Sequence, residues 1–189
     1  MRAYYSKSSK PPKSPNQEQS KLPHLTSSGE AHMVRITTKE ITHRRAIAVG
    51  RVSFSDPQTS QLIRSALIKK GDVLGTARVA GIMAAKNCPA LVPLCHPIIL
   101  SSVRVDVQLA FEEAEGCGGV DIEAEVECVG QTGVEMEALT AVSGACLTVI
   151  DMVKGVDRGA KIEEVKVVLK EGGRSGVWRD ESWSEMGHN

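Results

Sequence analysis

Aromatic residues are scarce, only 3% of the 189 residues, which leaves no surface of stacked rings for single-stranded nucleic acid. Net charge is absent too. The 23 basic residues are matched by 23 acidic ones, so no overall field draws the chain to DNA or to an anionic membrane. No run of about 18 or more apolar residues free of charge occurs, and no membrane span is expected. The five cysteines (Cys88, Cys95, Cys117, Cys128, Cys146) are odd in number and lack CxxC spacing. That argues for reduced thiols in a cytosol-like compartment and against a disulfide framework. Neither the cysteines nor the five histidines show ligand spacing, so no metal site is expected.

What is present is a globular composition. Apolar residues make up 41% of the chain, enough for one domain whose core is built from Val, Ile, Leu, Ala and Met. Residues 1–28 are rich in Ser, Pro, Lys and Gln, with Arg2, Lys7, Lys10, Lys13 and Lys21 against the single acid Glu18. Such a stretch buries too little apolar surface to offset its ordering entropy. It is predicted to be a flexible basic arm, and it lacks the apolar stretch of a secretory signal. The folded domain is placed at 29–176 and a C-terminal tail at 177–189.

Periodicity supplies the elements. Residues 45–54 favour a strand. Asp56–Pro57 reads as an N-cap followed by proline at the first helical position, opening a helix through Leu62, Ile63, Ala66 and Leu67 that Gly71 ends. A second helix is predicted from near Asp72 to about Lys86, stopped by Cys88–Pro89. The stretch from Pro89 to Pro97 holds three prolines and reads as non-helical. Apolar residues then alternate with polar ones from Val103 to Phe111 and again from Val120 to Cys128, around a Gly116–Gly119 turn. That is the pattern of an antiparallel hairpin with one buried face and one wet face. Thr132 and Glu135 have capping-box spacing ahead of a long helix running to Gly155, and a last strand alternates over 162–170. The order β-α-α-β-β-α-β predicts an α+β, ferredoxin-like fold, an antiparallel sheet with helices on one face.

Chemistry could reside in a few segments. At about 100° per residue, Glu137, Thr140, Gly144, Thr148, Asp151 and Lys154 share one stripe of the long helix. This is a narrow line of small and polar side chains on an otherwise apolar element. Asp151 and Lys154 also fit a plain surface ion pair, and Glu135 also fits a capping role. In Pro93-Leu94-Cys95-His96-Pro97 the prolines fix the backbone around a single histidine, which could bind an anion or carry a proton. A ring simply bonded to nearby backbone fits that pattern as well. Cys95 reads as a packing residue, since nothing suggests a lowered pKa. Lys69–Lys70 beside a helix N-terminus and the glycine-rich Lys170–Gly176 segment are candidate anion sites. Solvated lysines and a flexible end account for the same residues, and GGRSG lacks P-loop spacing.

The segments GEAHMV (29–34), KKGDV (69–73), LVPLCHPIILS (91–101), TGVEMEALTA (132–141), IDMVK (150–154) and GGRSG (172–176) follow one another along the chain. With them the sequence resembles the cyclic pyranopterin monophosphate synthases of molybdenum cofactor biosynthesis. The resemblance implies a ferredoxin-like subunit assembled as a homohexamer, a trimer of dimers, with the active site at a subunit interface. It implies a lyase that converts (8S)-3',8-cyclo-7,8-dihydroguanosine 5'-triphosphate to cyclic pyranopterin monophosphate with loss of pyrophosphate. By the same resemblance Asp151 would be the catalytic acid/base group, and Lys70 and Lys154 the catalytic lysines. Leu94, Cys95 and His96 would bind substrate, as would Glu135, Met136 and Glu137. Arg44, Lys86 and Lys170 match basic positions near it. No tightly bound cofactor is implied, and a magnesium ion accompanying the triphosphate stays open. A cytoplasmic location is expected, with the mitochondrial matrix as the alternative. The chain departs from the family pattern at Arg174, where lysine would be expected, and in the arm before Ser28. The rival classes are a non-catalytic nucleotide-binding module and a structural oligomer.

Overall fold

The computed structural model describes residues 30–110 and 116–186. The expected arm, 1–28, and Phe111 lie outside the described residues. Residues 30–34 close a small N-terminal unit, Met1–Val34, and are mostly exposed. The rest of the description concerns the unit Arg35–Asn189.

Strand β1 (Thr42–Ser53) lies at the centre of a five-stranded sheet, between β3 (Gly119–Gly130) and β4 (Lys161–Glu171). Strand β2 (Leu100–Ala110) flanks β3, and the two-residue β5 (Trp178–Arg179) flanks β4. The order is β2-β3-β1-β4-β5 and every pair is antiparallel. Period-two alternation sends Ala46, Ala48 and Val52 of β1 to one face, with Val105 and Val107 of β2 and Val120, Ile122, Ala124 and Val126 of β3. All are buried, and each fully covered Val or Ile contributes about 1.5–3 kcal/mol. The expected ferredoxin-like order and its antiparallel sheet are what the molecule has.

Helix α4 (Glu135–Val153) covers that face with Ala138, Ala141, Val142, Ala145, Cys146, Val149 and Val153. Helix α2 (Val73–Lys86) packs beside it. Its start is fixed by Asp72, whose carboxylate accepts from the Gly75 amide. In place of large aromatic side chains, the two helices come together on small ones. A Cβ on Gly144 would stand 2.5 Å from the Cβ of Ala84, so the central stripe of α4 is a packing seam. α4 is long and apolar enough to cross a membrane, yet 56% of its apolar window is buried; it is a core helix.

Several expectations need correction. Helix α1 (Gln58–Arg64) ends before Ala66, which takes a left-handed φ of 54° and breaks the hydrogen-bond ladder; Leu67 is exposed. Cys88–Leu91 forms a single helical turn, α3, because proline is tolerated in the first turn, where its missing N–H costs nothing. β1 begins three residues before Arg45. The capping box does not form: the N-cap of α4 is Val134, and no side chain caps it. The second sheet face is not uniformly wet either, since Glu123 is 1% exposed. The segment read as a tail supplies β5 and then crosses that face, where Trp183 packs with Ile47 and Leu169.

Candidate active site

Three groups of side chains stand out, and each is positioned by a different junction of the fold. At the C-terminal end of α4, Asp151 lies between two ammonium groups. Lys154, one turn on, places Nζ 2.6 Å from Oδ1. Lys70, from the connection between α1 and α2, places Nζ 2.6 Å from Oδ2 and donates also to the Asp151 carbonyl at 2.8 Å. That connection is held by buried Ile68 and turned by Gly71 at φ 94°, a conformation suited to glycine. Hydrogen bonds from Lys154 and Lys70 hold the Asp151 carboxyl down to about 2. All three side chains are open to solvent.

The turn that follows is rigid. Asp157, 3% exposed, accepts hydrogen bonds from the Ser55 hydroxyl and from the amides of Ser55, Asp56 and Gly159. Burial opposes its ionisation, but the Ser55 and backbone donors outweigh it and keep the carboxyl below the usual range.

At the other end of α4 a cavity of about 820 Å³ opens beside the start of β1 and the end of β4. Lys39, Arg44, Lys170 and Arg174 line it against two acids, Glu40 and Glu135. Arg44 is 7% exposed and donates to the carbonyls of Gly130 and Glu40. Gly172 and Gly173 have φ of 87° and 74°. A Cβ on Gly173 would collide with the Arg44 guanidinium, so the glycines let the chain close over the arginine. Lys170 donates to the Ser175 hydroxyl and the Gly176 carbonyl, tying the loop after β4 into the cavity wall. The Thr42 hydroxyl, also in the lining, is buried without a hydrogen-bond partner among the described residues. The lining is rich in donors and predominantly positive, which suits a phosphorylated ligand.

The third group is internal. Glu137, 3% exposed, adjoins Cys88, and burial pushes its carboxyl above the usual range. Burial likewise raises the Cys88 thiol to about 11 and lifts Cys95, so neither is an activated nucleophile. Thr140 donates to the Met136 carbonyl and lies 3.5 Å from the Cys88 sulfur.

The structure thus brings Lys70, Asp151 and Lys154 together at one pole, and Arg44, Glu135 and Lys170 at the other. Cys95 sits near Cys88 and Glu137. Leu94 and Met136 are partly exposed, His96 is half-buried, and Lys86 is exposed on the last turn of α2. Along α4 the sixteen steps from Glu135 to Asp151 span about 24 Å, so one chain does not bring the poles into one pocket. Lys39 was not singled out from the sequence. It reaches the lining because the Gln131 side chain bonds to the Lys39 and Thr37 carbonyls, a long-range contact without a local signal. Among the described residues no group of three or more His, Cys, Asp or Glu is arranged to hold a metal ion.

Comparison with known proteins gives consistent matches. The model of the MoaC family matches residues 33–173. A cyclic pyranopterin monophosphate synthase of Thermomicrobium roseum is 55% identical over 160 residues, covering 85% of this chain and 93% of that protein. A synthase of the same name from Methylobacterium nodulans is 54% identical over 160 residues, covering 85% and 97%. A third, from Streptomyces coelicolor, is 49% identical over 160 residues, covering 85% and 90%. Among solved structures, a de novo designed ferredoxin-fold protein covers 76% of this chain and 95% of its own at 14% identity. Its TM-score of 0.34 is too low to carry an argument.

Proposed function

The chain belongs to the MoaC family, and from that premise we propose that its catalytic site joins the Lys70–Asp151–Lys154 pole of one copy to the Arg44–Glu135–Lys170 cavity of another. Its activity is that of a cyclic pyranopterin monophosphate synthase, a lyase of molybdenum cofactor biosynthesis. The substrate is (8S)-3',8-cyclo-7,8-dihydroguanosine 5'-triphosphate, and the products are cyclic pyranopterin monophosphate and pyrophosphate.

The observation that carries this reading is the placing of Asp151 between Lys70 and Lys154. Held at about 2, its carboxyl is a poor base at neutral pH. An arriving triphosphate competes for both ammonium groups. As they turn to phosphate oxygens, the carboxylate loses its partners, its proton affinity rises, and it becomes a usable base. Substrate binding therefore switches on the proton-transfer group that opens and recloses the guanine-derived ring. The lysines then serve the second step. A sugar hydroxyl attacks the α-phosphorus, the bond to the β-phosphate oxygen breaks, and the charge on departing pyrophosphate is met by fixed cations.

The cavity at the other pole supplies positive charge through Arg44, Lys170 and Arg174, and Glu135 offers a carboxylate for paired hydrogen bonds to the amidine edge of the base. Glu137, Met136 and the Leu94–His96 segment complete the substrate contacts in this reading, with Lys86 at its rim. The separation of about 24 Å between the poles exceeds what a single nucleotide bridges, and this supports assembly of the site from two copies. Large apolar side chains left exposed on the helix layer, Val79 and Met83 of α2 and Leu147 of α4, support a further contact. Both are accommodated by a homohexamer built as a trimer of dimers. Five unpaired cysteines suit a reducing, cytoplasmic setting.

Phosphorus NMR of the protein incubated with the cyclic dihydroguanosine triphosphate tests the reading. Pyrophosphate and a cyclic phosphate resonance are expected from the wild type, and neither from Lys70→Ala. A wild type that binds the triphosphate and leaves it intact overturns the assignment in favour of a binding module.

A further inference from the structure

The match to the MoaC family ends at residue 173, and the chain beyond it contributes to both the cavity and the far face of the sheet. Residues 173–175 line the cavity. After them comes β5, which pairs with β4 through only Leu169↔Arg179 and Lys170↔Trp178. A strand this short does not hold itself in place. Its anchorage comes from the next segment, which crosses the helix-free face of the sheet.

That segment has several fastenings. The Asp180 amide donates to the Val168 carbonyl at 2.9 Å, and the Asp180 carboxylate pairs with Lys166 at 2.7 Å. Asp180 also receives the Ser182 amide and hydroxyl, closing a tight turn. The turn delivers Trp183 onto Ile47, Val49, Val168 and Leu169, the small apolar cluster of this face. The Trp183 indole Nε1 donates to Oε2 of Glu123 at 3.1 Å, and the Met186 amide donates to the same oxygen at 3.4 Å. Arg179 lies over the indole ring, 4.6 Å from its centroid.

Glu123 is an unusual residue to bury. It is 1% exposed, Oε1 has no hydrogen bond among the described residues, and Arg104 stands 3.9 Å from that oxygen. Asp106 faces it across the β2–β3 ladder, and Glu185 adds a further negative charge. Neighbouring Glu125 already occupies Arg45 and Arg104 at 2.5 and 2.7 Å. The two donors of the C-terminal segment are therefore the hydrogen bonds that satisfy this carboxylate, and a carboxylate in such a place is costly without them.

We propose that Trp183 is a positioning residue for the substrate cavity lined by Arg44 and Lys170: bonded to Glu123, it pins the segment 178–186 across the sheet and so holds the loop 172–177 in place. The loop is clamped at both ends, by β4 before it and by the Trp183 anchor after it. Ser175 and Gly176 then stay within reach of Lys170, and Arg174 stays in the cavity wall. Trp183 touches no substrate. It acts through the loop, and its effect falls on binding and leaves the chemical step alone.

The inference rests on the proposed function, and its test separates the two. Trp183→Phe keeps an aromatic ring on the cluster and removes the donor to Glu123, while Trp183→Ala removes both. Pyrophosphate release is followed against substrate concentration, and amide hydrogen exchange is measured in the absence of substrate. For Trp183→Phe the KM rises about tenfold, as expected for one lost hydrogen bond to a charged group. Its kcat stays within about twofold of wild type, the pattern of lost uniform binding. Trp183→Ala raises KM further, and in both variants the amides of 174–177 exchange faster while those of α4 do not. An unchanged KM in Trp183→Ala, or faster exchange confined to 178–186, overturns the proposal and makes the segment a cover only. Should the wild type release no pyrophosphate, the proposed function falls, and the exchange of 174–177 alone decides whether the clamp exists.

Discussion

Lys70 and Asp151, 81 residues apart in sequence, meet with Nζ 2.6 Å from Oδ2, and Lys154 closes on the other oxygen of the same carboxylate. A surface ion pair of i, i+3 residues is worth a few tenths of a kcal/mol. A second cation brought from another element serves stability little, because all three groups are solvated. The arrangement is better suited to gathering positive charge around a carboxylate that a phosphorylated ligand can release.

Replacement of Lys70 by alanine is therefore expected to lower kcat/KM by about 100-fold or more, the scale of losing one group that stabilises transition-state charge. The same change lets the Asp151 carboxyl rise from its position near 2, which carbon NMR of the labelled carboxylate reads directly. Asp151→Asn separates binding from chemistry. It should retain the triphosphate in a direct binding titration and show no turnover.

The middle of α4 makes a different prediction. Gly144 leaves no room for a methyl group against Ala84, and overpacking at such a seam costs about 1–3 kcal/mol. Thermal unfolding of Gly144→Ala should show a drop in Tm. An unchanged Tm would mean that the two helices part at little cost.

Much of this was legible in the sequence, but not all of it. Period-two alternation at Val103–Leu109 and Val120–Cys128 identified the hairpin and its buried face, because that period has few other physical causes. The helical stripe from Glu137 to Lys154 was equally visible, and its reading was half complete. Periodicity says which residues share a face, not what covers it; only the folded chain shows that Thr140 faces Cys88 and Gly144 faces Ala84 while Asp151 faces Lys70. Thr132 looked like a cap because a spacing cannot reveal that Val134 occupies the N-cap position. Lys39 and Trp183 were beyond reach, since Lys39 owes its place to the distant Gln131 side chain and Trp183 to a segment that crosses the sheet.

Glu137, like the buried Glu123, contributes to the pH dependence of stability. Burial raises its carboxyl above the ordinary value near 4.3, so between that value and the raised one the folded state holds a proton that the unfolded state has lost. Stability falls as pH rises through this window. Glu137→Gln removes the titration, and the decline of Tm above about pH 4.3 should become shallower than in the wild type. A steeper decline would contradict the burial described here.

Gly173→Ala probes the cavity without touching a charge. The φ of 74° is unfavourable for alanine, and the added Cβ displaces the Arg44 guanidinium. The strain costs on the order of 1 kcal/mol, and the displaced arginine should raise KM for the triphosphate by about tenfold or more. A kcat loss without any change in KM would place Arg44 in the chemical step.

Subunit mixing distinguishes an active site that takes its two poles from different copies from one contained in a single chain. Lys70→Ala and Arg44→Ala chains are unfolded together and refolded, and pyrophosphate release is measured at a substrate concentration low enough that neither variant alone gives a signal. With two-fold symmetric pairing, about half of all dimers are mixed and each of these carries one intact site of two, so activity should return to about a quarter of the wild-type value. If the mixture stays as inactive as its components while forming mixed oligomers, both poles belong to the same chain and the site is not shared between copies.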